Sequence, residues 1–335
     1  MKIRHLILTS SFAGVERHVA VLASEQARRG HDVEVWGGDL EAMRTHLHRA
    51  VRRSDAAGVA VTATRSLTAS SPDLLHAHMT AAETAALTAK ILRGVPLVAT
   101  RHFAAPRGSG RRGRLVRSLL DARVDAQISI SRYVAHAIGG PSTVVYPGVE
   151  AVATDDVARR RVVLVVQRLQ SEKKTEVALR AVAAGAPGGW SLEVVGRGPE
   201  LEGLQRLADA LGIAGRTTFL GFRDDVAQLM RSSAVLIAPC EVEGLGLSVL
   251  EAMAQGLPVL ASDAGAHPET VGRAADAQLF PPGASDRAGF MLARLCEDAD
   301  RRRQYGEELR TVQRSVFTLS AQAEGTEAVY REVLG

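Results

Sequence analysis

The sequence predicts an α/β protein built from two doubly wound, parallel-sheet domains, and three observations predict it. Short unbroken Val/Ile/Leu runs alternate with longer stretches whose apolar residues recur at spacings of three and four. The alternation runs through the chain as two series of about 150 residues each, a usual domain size. Composition is that of an ordinary globular chain: 335 residues, 46% apolar and 23% charged. Those values exclude a disordered or collagen-like polypeptide. Strands that are apolar throughout belong to sheets covered on both faces, which is the parallel arrangement.

Taken in order, the runs expected as strands in the first series are residues 3–9, 32–36, 59–62, 74–77, 97–100, 127–130 and 143–146. Helical spacing fills 15–29, 81–93 and 114–123 between them. The second series repeats the rhythm with strands at 162–166, 192–195, 217–220, 235–238, 258–261 and 278–280, and helices at 173–184, 200–210 and 247–255. The segment 149–161, with Ala-Val-Ala-Thr-Asp-Asp inside it, is the best linker. Domains are therefore expected at 1–150 and 151–318. A last helix within 319–335 is expected to pack back on the first domain.

The opening MKIRHLILTS reads as a first strand and not as a signal peptide, because no cleavage-like site follows its short apolar core. No apolar run approaches the roughly 18 residues needed to span a bilayer. The two cysteines, Cys240 and Cys296, make neither a disulfide scaffold nor a CxxC metal pair. A reducing, cytoplasmic setting is expected.

Charge is uneven. Arginine outnumbers lysine 37 to 4, so each lysine stands out. Residues 1–150 hold 20 basic against 12 acidic side chains, and residues 151–335 hold 21 against 25. A basic first half points to an anionic partner there. Much of the excess falls between 101 and 132, where Arg107, Arg111, Arg112, Arg114 and Arg117 crowd a Gly/Ser-containing loop and the helix after it. A solvated face accounts for this; the sharper reading is a contact for a phosphate-bearing acceptor or an anionic membrane surface. Nucleic acid is disfavoured, because aromatic residues do not interleave with the arginines.

In open parallel sheets ligands bind beyond the carboxyl ends of the strands, so the residues after each strand carry the chemistry. The densest such segment is Ala238-Pro-Cys-Glu-Val-Glu-Gly-Leu-Gly-Leu-Ser-Val-Leu-Glu-Ala-Met-Ala-Gln-Gly-Leu-Pro-Val. Gly244 and Gly246 allow backbone N–H groups to approach a ligand and to open a helix N-terminus. Glu243 and Glu251 are eight residues apart, at most ~12 Å along a helix. That is too far for a carboxylate pair on one bond, but suits two polyhydroxyl groups of one extended ligand. Solvated helix-face acids fit the spacing alone equally well. After the strand at 162–166, Gln167-Arg-Leu-Gln-Ser-Glu-Lys-Lys-Thr175 places Arg168 and Lys173 beside a helix start, where cations and the helix dipole together suit a diphosphate. A third segment, Val195-Gly-Arg-Gly-Pro-Glu200, matches a dinucleotide fingerprint only weakly, because the third glycine is missing.

Glu-x7-Glu with its flanking glycines and the following Glu-Ala-Met-Ala-x-Gly-x-Pro-Val closely resembles the donor-binding signature of retaining family-4 glycosyltransferases. These have the GT-B fold, two Rossmann-like domains facing across a cleft. The resemblance extends over nearly the whole chain. It implies Glu243 on the sugar hydroxyls, Glu251 on the ribose, and Gly244, Leu245, Gly246 and Leu247 around the donor. Arg168 and Lys173 match the family's phosphate-binding Arg and Lys, although Gln167 and Lys174 stand where its pattern has glycine. Gly196 falls in a recurrent Gly-x-Gly-Pro turn near the nucleotide, and Arg223 in the segment that frames the base. Gly14 is what remains of a glycine pair facing the diphosphate, with Ala13 in place of its neighbour. His102 sits where the family's Thr-x-His sets a histidine against the donor sugar. Glu269 matches a Gly-Gly-x-Pro-Glu turn near the second sheet.

The resemblance implies a nucleoside-diphosphate sugar as donor, a glycan or lipid-linked glycan as acceptor, and no metal or other cofactor. UDP-sugars are favoured, then GDP-mannose. A UDP-N-acetylglucosamine 2-epimerase-like enzyme of the same fold, a non-catalytic relative and transfer to a small-molecule acceptor are the alternatives. His76 and His78 form a His-x-His pair that reads as strand-end structure, a metal pair being the alternative. Cys240 reads as a small buried side chain, thiol-sensitive only if exposed.

Overall fold

A computed structural model describes residues 1–9, 13–56, 58–105, 120, 122–153 and 158–335. Arg107, Arg111, Arg112, Arg114 and Arg117 lie outside the described residues, as does most of the expected helix at 114–123. The chain divides into two compact units, Met1–Gly148 with Leu319–Gly335, and Val149–Thr318.

The first unit holds a seven-stranded sheet: β1 Lys2–Ile7, β2 Asp32–Gly37, β3 Arg52–Ser54, β4 Leu74–His78, β5 Leu97–Arg101, β6 Ala126–Ser129 and β7 Thr143–Val144. Their order is β3-β2-β1-β4-β5-β6-β7, with every pair parallel. The second unit holds six strands: β8 Val162–Val166, β9 Ser191–Val195, β10 Thr217–Gly221, β11 Val235–Ala238, β12 Val259–Ser262 and β13 Leu279–Phe280. Their order is β10-β9-β8-β11-β12-β13, again all parallel. The strand order reverses between β1 and β4 in one sheet and between β8 and β11 in the other. Both units are thus doubly wound.

Central strands bury nearly every residue, as apolar runs covered on both faces must. Helix Leu319–Leu334 closes one face of the first sheet, with Val329 and Tyr330 joining Ile3, Leu74, Val98, Ile128 and Val145 in one apolar cluster. In the second unit, helices Thr175–Gly185 and Ser285–Glu297 touch through glycine. A Cβ on Gly185 would lie 1.9 Å from the Gly289 carbonyl oxygen, so no larger residue fits there.

Two expectations fail in the first unit. Residues 59–62 read as a strand because Val59, Val61 and Thr62 are β-branched, yet they begin helix Val59–Thr68. Thr62 and Ser66, one turn apart, are its buried positions, and Arg65 stacks 4.3 Å from the Trp36 ring, while Val61 stays 56% exposed. Packing against the sheet side overrides a four-residue propensity. The missing strand is β3, a polar edge segment with no apolar run to announce it. Arg101, counted in the basic stretch, is buried in a 2.7 Å ion pair with Glu83, and its Nε donates to Gln127 Oε1 at 3.0 Å. It offers no charge to an outside ligand.

Candidate active site

In the second unit the loops leaving β8 and β11, the two strands at the reversal point, carry Arg168, Lys173 and Glu243. Lys173 Nζ donates to Glu243 Oε2 at 2.8 Å. Their side chains are 15% and 24% exposed, so the pair sits in a reduced dielectric. Burial alone would lower the Lys173 ammonium, but the Glu243 carboxylate outweighs it and holds Lys173 above its ordinary range. Burial likewise works to raise Glu243, and the Lys173 charge and hydrogen bond outweigh it, with a further contribution from the Gly244 backbone. Glu243 is therefore an ionised, acceptor-only group, and Lys173 is a charged donor that also interacts with the Cys240 thiol.

Local sequence builds this pair. Gln167 Nε2 donates to both Lys173 O and Thr175 Oγ1 at 2.8 Å, tying the 3-10 turn Ser171–Lys173 to the end of β8. Lys174 then takes a φ of 54°, the left-handed region that favours glycine, and helix Thr175–Gly185 follows. The helical stretch expected at 173–184 is broken there. Across the pair, Ala266 N donates to Glu243 O at 3.0 Å. A Cβ on Gly265 (φ +59°) would stand 2.8 Å from both the N and O of Glu243, so glycine is what lets the two loops meet. Glu269 ends the 3-10 turn His267–Glu269 behind that contact.

Gly246, at φ 86°, caps helix Leu247–Ala254, which carries Glu251 on its second turn. Leu245 and Gly246 are buried, while Leu247 and Glu251 are half-buried. Arg168 is 62% exposed, with Glu172 at 3.9 Å as an acidic neighbour. Gly196 (φ +141°) serves the same loop from beneath: a Cβ there would fall 1.8 Å from Gln167 O, and one on Gly198 2.1 Å from Leu169 O. Leu169 N donates to Arg197 O at 2.9 Å across this contact. The Gly-x-Gly thus seats the β9 loop against the loop bearing Arg168. Arg223 lies farther out, an exposed fork on Asp225 with bonds of 2.8 and 2.6 Å. Beside it Phe222 is 67% exposed, with the Arg197 guanidinium 5.7 Å from its ring.

His267 escaped the sequence reading, which stopped at Glu269. Its Nδ1 donates to Ser262 O at 3.0 Å, leaving Nε2 buried with no hydrogen-bond partner among the described residues. Burial lowers this imidazole against the pull of the Glu243 carboxylate, so it is a neutral lone pair within electrostatic reach of the ion pair. Its signal was the turn glycine Gly265 two residues earlier. Cys240 is 2% exposed, its Sγ 3.6 Å from Glu172 O, and burial raises its thiol. It is not a reactive cysteine.

In the first unit, Gly14 opens the exposed N-terminus of helix Gly14–Arg28. Ala13 before it is extended at φ −143°, which alanine adopts freely, and its N–H donates to Glu16 Oε2 at 2.8 Å. His102 follows β5 and is buried, its Nε2 3.1 Å from His78 Nδ1. Ring nitrogens of His5, His76 and His78, and of His18, His78 and His102, gather within 4.8 Å, a spacing that can hold a metal ion. Most of them are already engaged with one another or with Gln26, Tyr330 and Thr100. Among the described residues no helix is long and apolar enough to cross a membrane.

Two family models match this chain: glycosyltransferase family 4 over residues 12–152 and glycosyl transferases group 1 over residues 150–312. A GDP-mannose-dependent alpha-(1-6)-phosphatidylinositol monomannoside mannosyltransferase of Mycobacterium tuberculosis is 37% identical over 122 residues, 34% of this chain and 32% of that protein. An N-acetyl-alpha-D-glucosaminyl L-malate synthase of Bacillus anthracis is 32% identical over 143 residues, 43% of this chain and 38% of that protein. The matches span about a third of the length of these curated relatives. Anabaena HepE, crystallised with UDP and glucose, superposes with a TM-score of 0.85 at 22% identity, covering 99% of this chain and 100% of that one. With two parallel-sheet α/β units and both family models in sequence order, the chain belongs to the group 1, family-4 type of glycosyltransferases and has their GT-B fold.

Proposed function

We propose that this chain is a retaining glycosyltransferase that moves a hexose or N-acetylhexosamine from a nucleoside-diphosphate sugar to a glycan or lipid-linked glycan in cell-surface polysaccharide synthesis. A UDP-sugar is the favoured donor and GDP-mannose the next. The observation that carries the reading is the Lys173–Glu243 pair, 2.8 Å apart at the reversal point of the second sheet. It sets a cation for the diphosphate beside an ionised acceptor for sugar hydroxyls. The relatives support this: one is a GDP-mannose-dependent mannosyltransferase, one an N-acetyl-alpha-D-glucosaminyl L-malate synthase, and the HepE crystals hold UDP and glucose.

In this reading the bond from the anomeric carbon to the diphosphate oxygen breaks as the acceptor hydroxyl oxygen bonds to that carbon on the same face. The hydroxyl proton passes to the departing phosphate oxygen. Negative charge grows on the diphosphate, and Arg168 and Lys173 stabilise it, each fixed donor being worth roughly 3 kcal/mol in such sites. Glu243 is the sugar contact of the second unit, and His102 is the candidate sugar contact of the first. Glu251 holds the ribose, and Gly196, Arg223 and Phe222 border the nucleotide. Because Lys173 keeps Glu243 ionised, that residue is no general acid, and the leaving group needs none. The arginines from Arg107 to Arg117 remain the candidate contact for an anionic acceptor or membrane surface.

The test is a panel of UDP-, GDP-, ADP- and dTDP-sugars with EDTA present, read by thermal shift and by donor hydrolysis or transfer. One sugar nucleotide should stabilise the protein and turn over, and Glu251→Ala should weaken its nucleotide at least tenfold in calorimetry. An epimerised donor in the absence of acceptor, or unchanged nucleotide affinity in Glu251→Ala, would overturn the reading.

A further inference from the structure

One face of the first sheet changes character along its strands. It is apolar toward the amino ends, at Ile3, Leu74 and Val98, and carries His5, His76, His78 and Thr100 toward the carboxyl ends. Helices Gly14–Arg28 and Leu319–Leu334 cover it, contributing Gln26 and Tyr330. Their heavy atoms form one unbroken run. His102 Nε2 is 3.1 Å from His78 Nδ1, and His78 Nε2 is 3.1 Å from His5 Nδ1. His5 Nε2 is 2.7 Å from Gln26 Oε1, and Gln26 Nε2 is 3.3 Å from Tyr330 Oη. Tyr330 Oη is 2.6 Å from His76 Nδ1, and His76 Nε2 is 2.7 Å from Thr100 Oγ1. All seven side chains are buried.

With Gln26 Oε1 toward His5 and Gln26 Nε2 toward Tyr330, counting protons assigns a direction to this run. Burial takes His5 to about 4 and pulls His76, His78 and His102 well below the ordinary imidazole range, so each carries a single N–H at neutral pH. The Gln26 carbonyl oxygen can only accept, so the proton of His5 is on Nε2 and its Nδ1 accepts. His78 must then donate from Nε2 and accept at Nδ1, and His102 must donate from Nε2. The Gln26 amide, on its other side, donates to Tyr330, whose hydroxyl donates to His76, which donates to Thr100. Six bonds use six protons in one polarity, and Gln26 is the joint that decides it. Turning its amide over would reverse every tautomer. A metal in either histidine trio would have to displace several of these bonds, because both nitrogens of His5, His76 and His78 are already used.

We propose that Gln26, anchored by Tyr330 of the last helix, sets the tautomer of His102 through His5 and His78, so that His102 presents Nδ1 as a hydrogen-bond acceptor to a hydroxyl of the donor sugar. Among the described residues nothing hydrogen-bonds that Nδ1. Gln26, His5 and His78 are positioning residues, and the inference rests on the reading of His102 as a sugar contact. A neutral imidazole can meet a hydroxyl in two ways, and only the lone-pair form accepts the hydroxyl proton without competition from an N–H. Second partners that fix a histidine tautomer are known to matter to its function.

The experiment uses the full chain labelled with 15N-histidine, with the His102 signals assigned by their loss in His102→Ala. Ring 15N shifts and couplings report which nitrogen bears the proton. In the parent protein His102 should be a single Nε2–H tautomer. Gln26→Met keeps the length of the side chain but removes the amide, and Tyr330→Phe frees the amide to turn. Either variant should give mixed tautomers at His102, with kcat down roughly two- to tenfold, as expected when the competent form falls from dominant to half or to the minor share. The donor KM should move less than twofold. If Gln26→Met does not fold, Tyr330→Phe carries the test. An Nδ1–H tautomer in the parent, an unchanged tautomer in the variants, or stoichiometric zinc that survives dialysis would overturn the inference. A normal kcat/KM in His102→Ala would instead overturn the sugar-contact reading, and it is distinguishable because the tautomer measurement needs no activity.

Discussion

Lys173→Met is the most informative single change in the second unit. It keeps the length and apolar stem of the side chain and removes the charge that lies 2.8 Å from Glu243. At an effective dielectric of ~20 the gross attraction at that distance is about 6 kcal/mol. Most of this is offset by the cost of keeping both ions three-quarters or more covered. The net loss expected is about 2–3 kcal/mol, because Glu243 is left as a mostly covered carboxylate without its ammonium partner. For a domain of this size that lowers the melting temperature by roughly 5–10 °C.

The pH dependence gives the argument its edge. Glu243 is held below its ordinary range, so in the parent its contribution is present above about pH 4.3 and fades as pH falls through the lower folded value. Lys173 is held above its ordinary range, so its contribution persists below about pH 10.4 and fades only beyond that. In the variant, burial without the ammonium raises Glu243, and the carboxyl takes up its proton on mild acidification. The melting gap between parent and variant should therefore be largest and flat from about pH 6 to 9, and should shrink toward pH 4. Scanning calorimetry at five pH values measures it. A gap that is constant down to pH 4, or a coupling below about 0.5 kcal/mol in a double-mutant cycle with Glu243→Gln, would refute the reasoning.

Gly196→Ala should cost about 3 kcal/mol or more in urea unfolding, because its Cβ would stand 1.8 Å from a backbone oxygen that cannot swing aside. Gly203→Ala is the control: on helix Leu201–Ala210 its nearest neighbour is a flexible Arg206 tip at 4.0 Å, and about 0.5–1 kcal/mol of stabilisation is expected. Equal effects at the two sites would sink the argument. Lys174→Gly should stabilise the unit by about 1 kcal/mol by relieving the φ of 54°, with donor turnover retained. A loss of stability on the same urea titration would mean that the Lys174 side chain contributes more than its backbone costs.

The sequence was most legible where physics is local and repeated. Val162–Val166, Val235–Ala238 and the other buried runs announce themselves because a strand covered on both faces has no polar positions to blur it. β3 was illegible for the opposite reason: Arg52, Arg53 and Ser54 form an edge strand whose partner is β2 alone, so nothing selects apolar residues there. Helix Val59–Thr68 was misread because its burial is carried by small polar side chains at one-turn spacing, which hydrophobic periodicity does not count. At the site, motif spacing named Lys173 and Glu243, but not that they would meet each other across 70 residues of chain. His267 needed the fold, since its place beside the pair comes from Gly265 packing on the Glu243 backbone.

The two departures from the family pattern around Lys173 are best understood together. Glycine at 167 and at 174 would leave the intervening turn loosely defined, each residue able to reach the required backbone at little steric cost. Here Lys174 accepts a strained φ, and Gln167 supplies two 2.8 Å side-chain bonds to the same turn, at Lys173 O and Thr175 Oγ1. One bond holds the backbone just before the strained residue and the other holds the side chain just after it. The strain at 174 and the clamp from 167 therefore act on one short segment, and that segment carries the cation on which the diphosphate reading depends. Flexibility has been exchanged for side-chain constraint, and the turn is held in place by the chain's own amide.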